Sequence, residues 1–568
     1  MSPGRRYTTI VLLASWPACA TDPWRHAPHD RIFMRAPAPT LHAAPLGHDI
    51  VESWRDIDHA VIRPIASGLN PGSWLDRAIG GPEALDINTF QEVIDSPWFT
   101  NRIGRHRMSA KDVAQGPNTE GPAPGPLFVL GGKSEGPTPG LLIKDHKGVR
   151  FLVKFDPPAY PGLASAAEVI SARILWAAGY NVPENYVLTF NLDRFVLTEG
   201  ATTRGPYGST VPLTENKLQD LLALANPYPD GRVRALFSKL LPGARIGPFS
   251  YEGLCSTDPN DHIPHQRRRS LRGLRMFSAW LNNVDTVAAN TLDMFITDGH
   301  SNQGYVRHFL LDFGHALGAM GTKPKYLGLG YEGLIDWPLT LKEFFSAGLA
   351  YRYWLPIERS PFRSVGVFEA EVFDPERWRP AIPNPAFDAA TARDDYWAAA
   401  VITHFDVDQL IAVVQAAEYA DEGAESWVLR VLLQRQFAIA RSAFPRTLAL
   451  GPPRMESAYV MYQSNLAVRV GLEDADRVGY RYRVRHHPQG GPGILLAEGE
   501  NFVPRVDLEE AVRTAKRQLG PSGLRTEPFI SVTWTQMLPQ PRAPEVRVHL
   551  RVLTSGVLPV ALDRDIGG

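Results

Sequence analysis

Cysteine and excess charge are both scarce in this sequence, and each scarcity excludes a class of protein. The 568 residues contain only two cysteines, Cys19 and Cys255, which excludes the disulfide framework of small secreted domains. The 59 basic and 60 acidic side chains leave a net charge of -1. A chain without net positive charge lacks the long-range field that attracts phosphate backbones, so we expect no general nucleic-acid binding.

Long apolar runs are also missing. No segment beyond the N-terminus reaches the roughly 18 consecutive apolar residues of a membrane span, so no transmembrane segment is predicted. Hydrophobic residues nevertheless make up 44% of the chain, which is typical of globular proteins with a substantial core. The 48 glycines and 49 prolines follow no period and predict many turns and ordered loops.

The first twenty residues are typical of an export signal. A positive start, an apolar stretch and a small-residue cleavage site are present as Arg5-Arg6, residues 9–14 and Ala18-Cys19-Ala20. We expect cleavage after Ala20 and export to the periplasm or the extracellular space. A misassigned start or a frayed apolar terminus is the alternative reading of residues 1–20. Lipidation of Cys19 is disfavoured because Trp16-Pro17-Ala18 is a poor approach to a lipid-bearing cysteine.

The mature chain is expected to begin with an extension and a small α+β lobe. Residues 21–126 predict an N-terminal extension that wraps over its neighbour, with only short helical patterns such as residues 89–94. Residues 127–242 predict the lobe, in the order strand, strand, strand, helix, strand, strand. Its strands are residues 127–130, 141–144, 150–155, 185–190 and 232–240, and its helix spans 164–175 and closes at Gly179. The first three strands predict an antiparallel meander.

A helical lobe and a β-rich domain are predicted to follow. Residues 243–454 show helical periodicity, interrupted by two strand-like runs at 291–296 and 305–311. The predicted helices are residues 271–283, 341–353, 396–405, 407–419 and 425–444. Alternation returns in residues 455–568, which predict a separate β-rich domain. Its strands are residues 480–484, 529–535 and 545–552, and its helix is residues 508–518.

Three short pieces of residues 127–454 carry side chains suited to chemistry. Lys154 lies among the apolar residues of a strand, where its charge is costly to bury unless a carboxylate such as Glu168 on the next helix pairs with it. The second piece is Asp285-Thr-Val-Ala-Ala-Asn290, between a helix and a short strand. The third is Asp312-Phe313-Gly314, which ends an apolar strand.

The order of these pieces is more informative than any one of them. Lysine, helix glutamate, Asp-x-x-x-x-Asn and Asp-Phe-Gly follow one another as the parts needed for phosphoryl transfer in protein-kinase-like proteins. In that chemistry a lysine neutralises nucleotide phosphates and a glutamate holds the lysine. One aspartate orients the acceptor hydroxyl, while the asparagine and the last aspartate hold magnesium.

Two of the pieces resemble atypical members of the kinase superfamily. The run HFLLDFGHALG, residues 308–318, is similar to the metal-binding segment of phosphatidylinositol kinases, and residues 281–290 resemble the catalytic loop of HipA-type serine kinases. The resemblance covers roughly residues 127–445 as an order of elements and implies a two-lobed kinase-like domain that uses ATP and magnesium. The wider chain also resembles uncharacterised exported bacterial proteins, which names no function.

The resemblance implies a role for each residue of the three pieces. Lys154 would contact phosphate, and Glu168 would pair with Lys154. Asp285 would be the catalytic aspartate, while Asn290 and Asp312 would be the metal ligands. No His-Arg precedes Asp285 and no Ala-Pro-Glu follows Asp312, so a conventional eukaryotic-type protein kinase is disfavoured.

The phosphate loop implied by the resemblance lies between the first two strands of the lobe. Gly136, Thr138 and Gly140 would approach the nucleotide there, because glycine permits close backbone contact. Pro137 and Pro139 lie in the same loop and each lacks a backbone N–H donor.

Each candidate also has an ordinary structural reading. Lys154 fits a strand-edge lysine, Asp285 and Asn290 fit caps of the helix and turn that they border, and Asp312 fits a strand-to-turn exit. The basic run at residues 267–269 favours a solvated helix start over a phosphate contact. Aromatic residues of the last domain fit either sugar stacking or a core: Tyr459, Tyr462, Tyr480, Tyr482 and Trp534.

The leading hypothesis is an exported ATP- and magnesium-dependent phosphotransferase whose phosphate acceptor, a protein, lipid or small molecule, the sequence does not identify. The alternative is a catalytically silent kinase-like scaffold or ligand-binding envelope protein. A third hypothesis is a carbohydrate-binding protein that contacts sugar or protein through residues 455–568 alone.

Overall fold

The structure is a computed structural model with a mixed α+β fold that contains several antiparallel sheets. It describes residues 34–48, 82–133, 140–205, 209–225, 227–228, 230–297, 299, 302–333, 342–346, 352–488, 493–526, 528–537 and 544–565. The predicted export signal at residues 1–20 lies outside these residues.

The N-terminal part of the chain is attached to later elements. It contains a short strand, His42–Ala43 (β1), which pairs with residues 303–304, and a helix, Ala110–Gln115 (α1). Between them, Phe99 is fully buried in the main hydrophobic core, where its ring occupies the space that a Cβ at Gly179 would need. This part of the chain therefore contributes residues to the core.

The short helix predicted at residues 89–94 is wrong. The Asn88 side chain accepts hydrogen bonds from the backbone N–H groups of Phe90, at 2.9 Å, and Glu92, at 3.1 Å. Asparagine side chains compete in this way with helical hydrogen bonds, so the segment folds as a turn.

Residues 127–239 form a sheet with two helices. The elements are Leu127–Gly132 (β2), Gly140–Lys144 (β3), Arg150–Phe155 (β4), Leu163–Ala178 (α2), Asn185–Asn191 (β5), Phe195–Arg204 (β6), Thr210–Pro212 (β7), Glu215–Ala223 (α3) and Arg232–Lys239 (β8). The strands lie in the order β5-β8-β4-β3-β2-β6-β7, and β2, β3 and β4 are antiparallel neighbours. The predicted meander is confirmed, whereas the sequence does not predict β6, β7 or α3.

The two faces of strand β4 differ, and this difference places Lys154. Phe151, Val153 and Phe155 are buried in the core that the sheet shares with α3. Side chains alternate along a strand, so Lys154 points to the opposite face, where it meets α2.

Helix α2 is buried on nearly all sides, which is typical of a helix in the core of a large domain. The Asp156 carboxylate accepts the backbone N–H groups of Ala164, at 3.0 Å, and Ser165, at 2.9 Å, and so satisfies two free donors at the helix start. Gly179, with a φ of 142°, ends the helix as predicted. Glu168 is a buried residue of this helix, and its carboxylate therefore needs a partner.

Residues 244–443 contain a small sheet and long helices. The elements are Ala244–Gly247 (β9), Arg269–Leu281 (α4), Thr291–Thr297 (β10), Gln303–Leu310 (β11), Pro385–Asp388 (α5), Ala392–Ile402 (α6), Val407–Gln415 (α7) and Ala424–Ala443 (α8). Strands β1, β11, β10 and β9 form an antiparallel sheet in that order. Helices α4, α6, α7 and α8 confirm four predicted helices. Of the fifth, residues 341–353, the described residues 342–345 are helical, while 341 and 347–351 lie outside the described residues.

The basic run at residues 267–269 is not a solvated helix start. Arg268 pairs with the buried Asp261 at 2.8 Å, and Arg269 pairs with the buried Asp394 at 2.9 Å. The arginines can be buried because carboxylates neutralise them. Asp394 lies on another helix, so the run alone gives no sign of this pairing.

The C-terminal residues form a β-rich unit around a second hydrophobic core, to which Phe90 of the N-terminal part also contributes. The elements are Arg454–Met455 (β12), Val460–Tyr462 (β13), Leu466–Arg469 (α9), Tyr480–His486 (β14), Ile494–Asn501 (β15), Arg505–Asp507 (β16), Glu509–Thr526 (α10, broken at Gly520), Phe529–Gln536 (β17), Glu545–Leu553 (β18) and Gly556–Arg564 (β19). The larger sheet has the antiparallel order β15-β14-β17-β18-β19. Tyr480 and Trp534 are buried in its core, which removes them from any surface platform for sugar.

Among the described residues, no single helix combines the length and apolar content needed to cross a membrane. Helices α6 and α7 meet that criterion only when counted together, as a pair bent by 78°.

Candidate functional site

Lys154 and Glu168 form an ion pair, as their positions in the sequence predict. Lys154 Nζ lies 2.7 Å from Glu168 Oε1, and Glu168 Oε2 accepts the backbone N–H of Phe313 at 2.9 Å. The Lys154 side chain is 14% exposed and that of Glu168 4%, so the pair is almost fully removed from water. Loss of Lys154 would leave the buried Glu168 carboxylate without its cation.

Asp312 joins this pair to make a three-membered cluster. Its Oδ1 lies 3.1 Å from Lys154 Nζ, although the two residues are 158 positions apart in the chain. Asp312 has a φ of 52°, in the left-handed region that aspartate tolerates better than most residues. The turn at Asp312 directly follows β11 and brings the N–H of Phe313 to Glu168.

The hairpin of β10 and β11 brings the two remaining pieces of the predicted site together. Its ladder pairs Thr291 with Leu310, and one step further the Leu311 N–H donates to the Asn290 carbonyl at 2.9 Å. Asn290 and Asp312 therefore lie at the same end of the hairpin. Strand pairing thus explains how Asp-x-x-x-x-Asn meets Asp-Phe-Gly.

Asp285 lies beside this end of the hairpin. Asn290 Nδ2 donates to the backbone carbonyl of Asp285 at 2.8 Å, which braces the loop between them. The Asp285 carboxylate lies 3.3 Å from Nδ1 of His315, and both side chains are partly exposed. A carboxylate placed in this way is accessible to a molecule that carries a hydroxyl group.

The cluster shifts the pKa values of its own members. Burial opposes the charged form of Asp312, but the charge and hydrogen bond of Lys154 outweigh it, and Lys133 and His315 add to the effect. The pKa of Asp312 therefore lies well below its usual range. Burial likewise opposes the charge of Lys154, but the carboxylates of Glu168 and Asp312 hold the pKa of Lys154 above its ordinary value. The pKa of Glu168 is raised, chiefly by burial. Lys154 and Asp312 are thus charged at neutral pH.

Only the ends of the predicted phosphate loop, Lys133 and Gly140, belong to the described residues, and Gly140 lies next to Lys154. The Lys133 N–H donates to the Gly140 carbonyl at 2.8 Å, and Gly140 is paired with Lys154 in the ladder of β3 and β4. A Cβ at Gly140 would lie 2.5 Å from the Val153 carbonyl oxygen, so only glycine fits there. The other two predicted loop residues, Gly136 and Thr138, lie outside the described residues.

No group of three or more histidine, cysteine, aspartate or glutamate side chains that could hold a metal ion occurs in the described part of the chain. Magnesium that binds together with a nucleotide needs fewer protein ligands, because phosphates and water complete its coordination. Asp312, 39% exposed, and the Asn290 amide supply the oxygen donors that magnesium prefers. These two residues fit such a shared site.

The sequence interpretation missed His315 and Lys133. His315 contacts the Asp285 carboxylate, and the charge of Lys133 acts on Asp312. Both are basic residues at the edges of the predicted motifs: His315 directly follows Asp-Phe-Gly, and Lys133 begins the loop that contains Gly136. That position was the signal that could have identified them.

Comparison of the chain with protein-family models, with curated proteins and with solved structures found no match. The functional interpretation therefore rests on the residues themselves.

Proposed function

We propose that the chain is an ATP- and magnesium-dependent phosphotransferase with a two-lobed kinase-like domain. The main support is the three-membered cluster, in which Lys154 Nζ lies 2.7 Å from Glu168 and 3.1 Å from Asp312. Protein kinases require both a strand lysine paired with a helix glutamate and a correctly placed Asp-Phe-Gly aspartate. Here one lysine contacts both carboxylates.

The order of the elements supports the same proposal. Lys154 lies on the third strand of the meander and Glu168 on the helix that follows, which are the positions that carry these residues in protein kinases. Asp285 and Asn290 follow helix α4, and Asp312 follows strand β11. The seven-stranded sheet of residues 127–239 would form one lobe and the helices from α4 onward the other.

Each side chain has a separate task in this proposal. Lys154 neutralises nucleotide phosphate charge, while Glu168 keeps its ammonium group in place. Asp312 and Asn290 hold magnesium, which offsets phosphate charge when bound. Asp285 orients the acceptor hydroxyl and accepts its proton. His315, in contact with the Asp285 carboxylate, restricts the orientation of that carboxylate.

A catalytically silent scaffold is the second candidate, and two observations favour it. Pro137 and Pro139 remove two N–H donors from the predicted phosphate loop. The Asn290 side chain is hydrogen-bonded to the Asp285 carbonyl, which is a sufficient structural role for an asparagine in a turn. In this alternative the Lys154 cluster only joins β4 to α2 and to the turn after β11.

ATP binding by the purified chain, with and without magnesium, tests the proposal. We expect wild type to bind ATP more tightly with magnesium and Asp312→Ala to lose that dependence. Asp285→Ala should leave ATP binding nearly intact but slow phosphate transfer by roughly 10²- to 10⁴-fold, because it removes only the positioned base. Transfer from labelled ATP to water or to the chain itself can be measured although the acceptor is unknown.

Asp476→Ala is the matched control, because Asp476 is an exposed aspartate of the C-terminal unit and should change neither measurement. Failure of wild type to bind ATP with either magnesium or manganese would rule out the phosphotransferase. ATP binding without any transfer would favour the scaffold instead.

A further inference from the structure

A cavity of about 190 Å³ lies away from the candidate site, between the end of helix α2, strand β11 and the segment that follows β8. Its lining combines cationic and apolar side chains, among them Arg102, Trp176, Lys239, Leu240, Arg307 and Phe309. An enclosed cavity of about 150 Å³ accommodates a benzene molecule. This cavity is therefore large enough for one aromatic ring with a small polar group.

Arg102 is fixed at the wall of the cavity by the end of α2. Its Nη1 donates to the Trp176 carbonyl at 2.5 Å, and its guanidinium lies over the Trp176 ring, 4.5 Å from the centroid. These contacts hold the side chain in one position but use only part of its five N–H donors. Arg102 is thus pre-positioned to donate further hydrogen bonds.

Arg307 lies on β11, on the same face as Phe309, because side chains two residues apart share a face of a strand. Both residues line the cavity. Arg307 Nε is buried and has no hydrogen-bond partner among the described residues. A buried donor on a charged group is unfavourable unless an acceptor reaches it, so the cavity calls for a group that accepts hydrogen bonds.

The third cation of the lining is already neutralised. Lys239 Nζ lies 2.9 Å from Glu184 Oε1, so this pair adds no net charge. Arg102 and Arg307 therefore leave an excess of positive charge in the lining of the cavity. The pKa of Arg102 is lowered to about 10, chiefly by burial and then by the charge of Arg307, and Asp95 offsets this only in part. Two guanidinium groups that repel each other in a confined space favour an anion between them.

We propose that this cavity binds a small organic anion, with a carboxylate or phosphate group on Arg102 and Arg307 and an apolar part against Trp176, Leu240 and Phe309. Arginine suits this task because its planar fork matches both anionic groups. The site is separate from the Lys154 cluster: on α2, Trp176 lies eight residues beyond Glu168, or about 12 Å along the helix axis. The proposal is therefore independent of the phosphotransferase function.

Calorimetric titration of the full chain with phenyl phosphate, benzoate and benzyl alcohol tests the proposal. We expect at least one of the two anions to bind and the neutral alcohol to bind at least tenfold more weakly, since the guanidinium groups select for charge. The comparison of phenyl phosphate with benzoate identifies the preferred anionic group. Absence of binding by both anions, or equal binding of benzyl alcohol, would overturn the proposal.

Variants assign the binding to this cavity. Arg307→Met keeps the length of the side chain but removes its charge and donors, and it should weaken anion binding at least tenfold. Arg307→Lys should retain part of the affinity. Arg477→Met is the matched control, because Arg477 is 85% exposed and lies in the C-terminal unit. Thermal unfolding should show that all variants are folded.

Lys154→Met separates this cavity from the candidate phosphotransferase site. The variant should bind the anion as wild type does, even if it fails to bind ATP. Loss of anion binding by Lys154→Met but not by Arg307→Met would place the anion at the Lys154 cluster and overturn the proposal.

Discussion

Two clusters of opposite charges lie inside this molecule, and they differ in their access to solvent. The arginine cluster consists of Asp86, Arg269, Arg272 and Asp394. The lysine cluster consists of Lys154, Glu168 and Asp312. In the arginine cluster, the paired side chains of Arg272 and Asp394 are both 0% exposed. In the lysine cluster, Asp312 is 39% exposed.

The clusters also differ in charge balance. The first cluster is closed and contains two arginines and two aspartates, so its formal charges balance. Asp394 contacts both guanidinium groups, whereas Asp86 accepts the backbone N–H groups of Arg269 and Ser270. One lysine faces two carboxylates in the second, which leaves one negative charge in excess before Lys133 and His315 at its rim are counted. Burial of an ion pair is therefore not enough to mark a functional site. An uneven charge with one open side is the combination that could hold a cation.

The largest expected effect comes from breaking the closed cluster. Asp394→Ala leaves two buried guanidinium groups without their carboxylate, so we expect it to lower the free energy of unfolding by about 3–5 kcal/mol. Urea denaturation followed by circular dichroism measures this loss. Asp476→Ala, at an exposed position, should change the free energy by less than about 0.5 kcal/mol. A loss below about 1 kcal/mol for Asp394→Ala would mean that water compensates the arginines.

A smaller stability effect with a clear functional effect is expected in the open cluster. Glu168→Gln keeps the shape of the side chain but removes the charge that holds Lys154, so it should cost about 1–3 kcal/mol. It should also weaken ATP binding, because Lys154 is no longer held in place. Equilibrium binding and urea denaturation measure the two effects. Glu215→Gln, at an exposed position of α3, is the matched control, and unchanged ATP affinity in Glu168→Gln would contradict the assigned role.

The elements with strong periodicity are those that could be predicted from the sequence. Helices α2, α4 and α8 and the strands β2, β3 and β4 have regular apolar patterns, and all of them are present. The pairing of Lys154 with Glu168 could also be predicted, because a lysine in a buried strand requires a nearby carboxylate. Local pattern and the energetic cost of burial were sufficient in these cases.

Contacts between distant parts of the chain could not be predicted. The bond of Lys154 to Asp312 spans 158 positions and depends on how the β10–β11 hairpin lies against the sheet. The buried guanidinium group of Arg269 pairs with Asp394, and its backbone N–H donates to Asp86; neither aspartate is near Arg269 in the sequence. At residues 89–94, the Asn88 side chain overrode a weak helical pattern. Such contacts are a property of the assembled fold.

The smallest expected effect is a pH dependence of the free energy of unfolding. It would sharpen the comparison because it tests the open cluster alone. In the folded chain, burial opposes ionisation of Asp312 but Lys154 outweighs it, so the pKa of Asp312 lies below the value of about 3.9 that an unfolded aspartate has. The unfolded chain therefore binds this proton more tightly. It follows that Asp312 contributes stability at pH values above about 4, and that this contribution is lost as pH falls through the lower folded pKa.

The free energy of unfolding of wild type minus that of Asp312→Asn measures this contribution. We expect the difference to shrink steadily as pH falls below about 4. Glu168 is present in both proteins, but the Asp312 charge contributes to its raised pKa, so the difference reports the two carboxylates as a coupled pair. Asp476→Asn serves as the control, because it replaces an exposed aspartate and should produce no such change. A difference that instead grew as pH fell would mean that the cluster does not favour the ionised form of Asp312. The open cluster would then lack the negative charge that a bound cation requires.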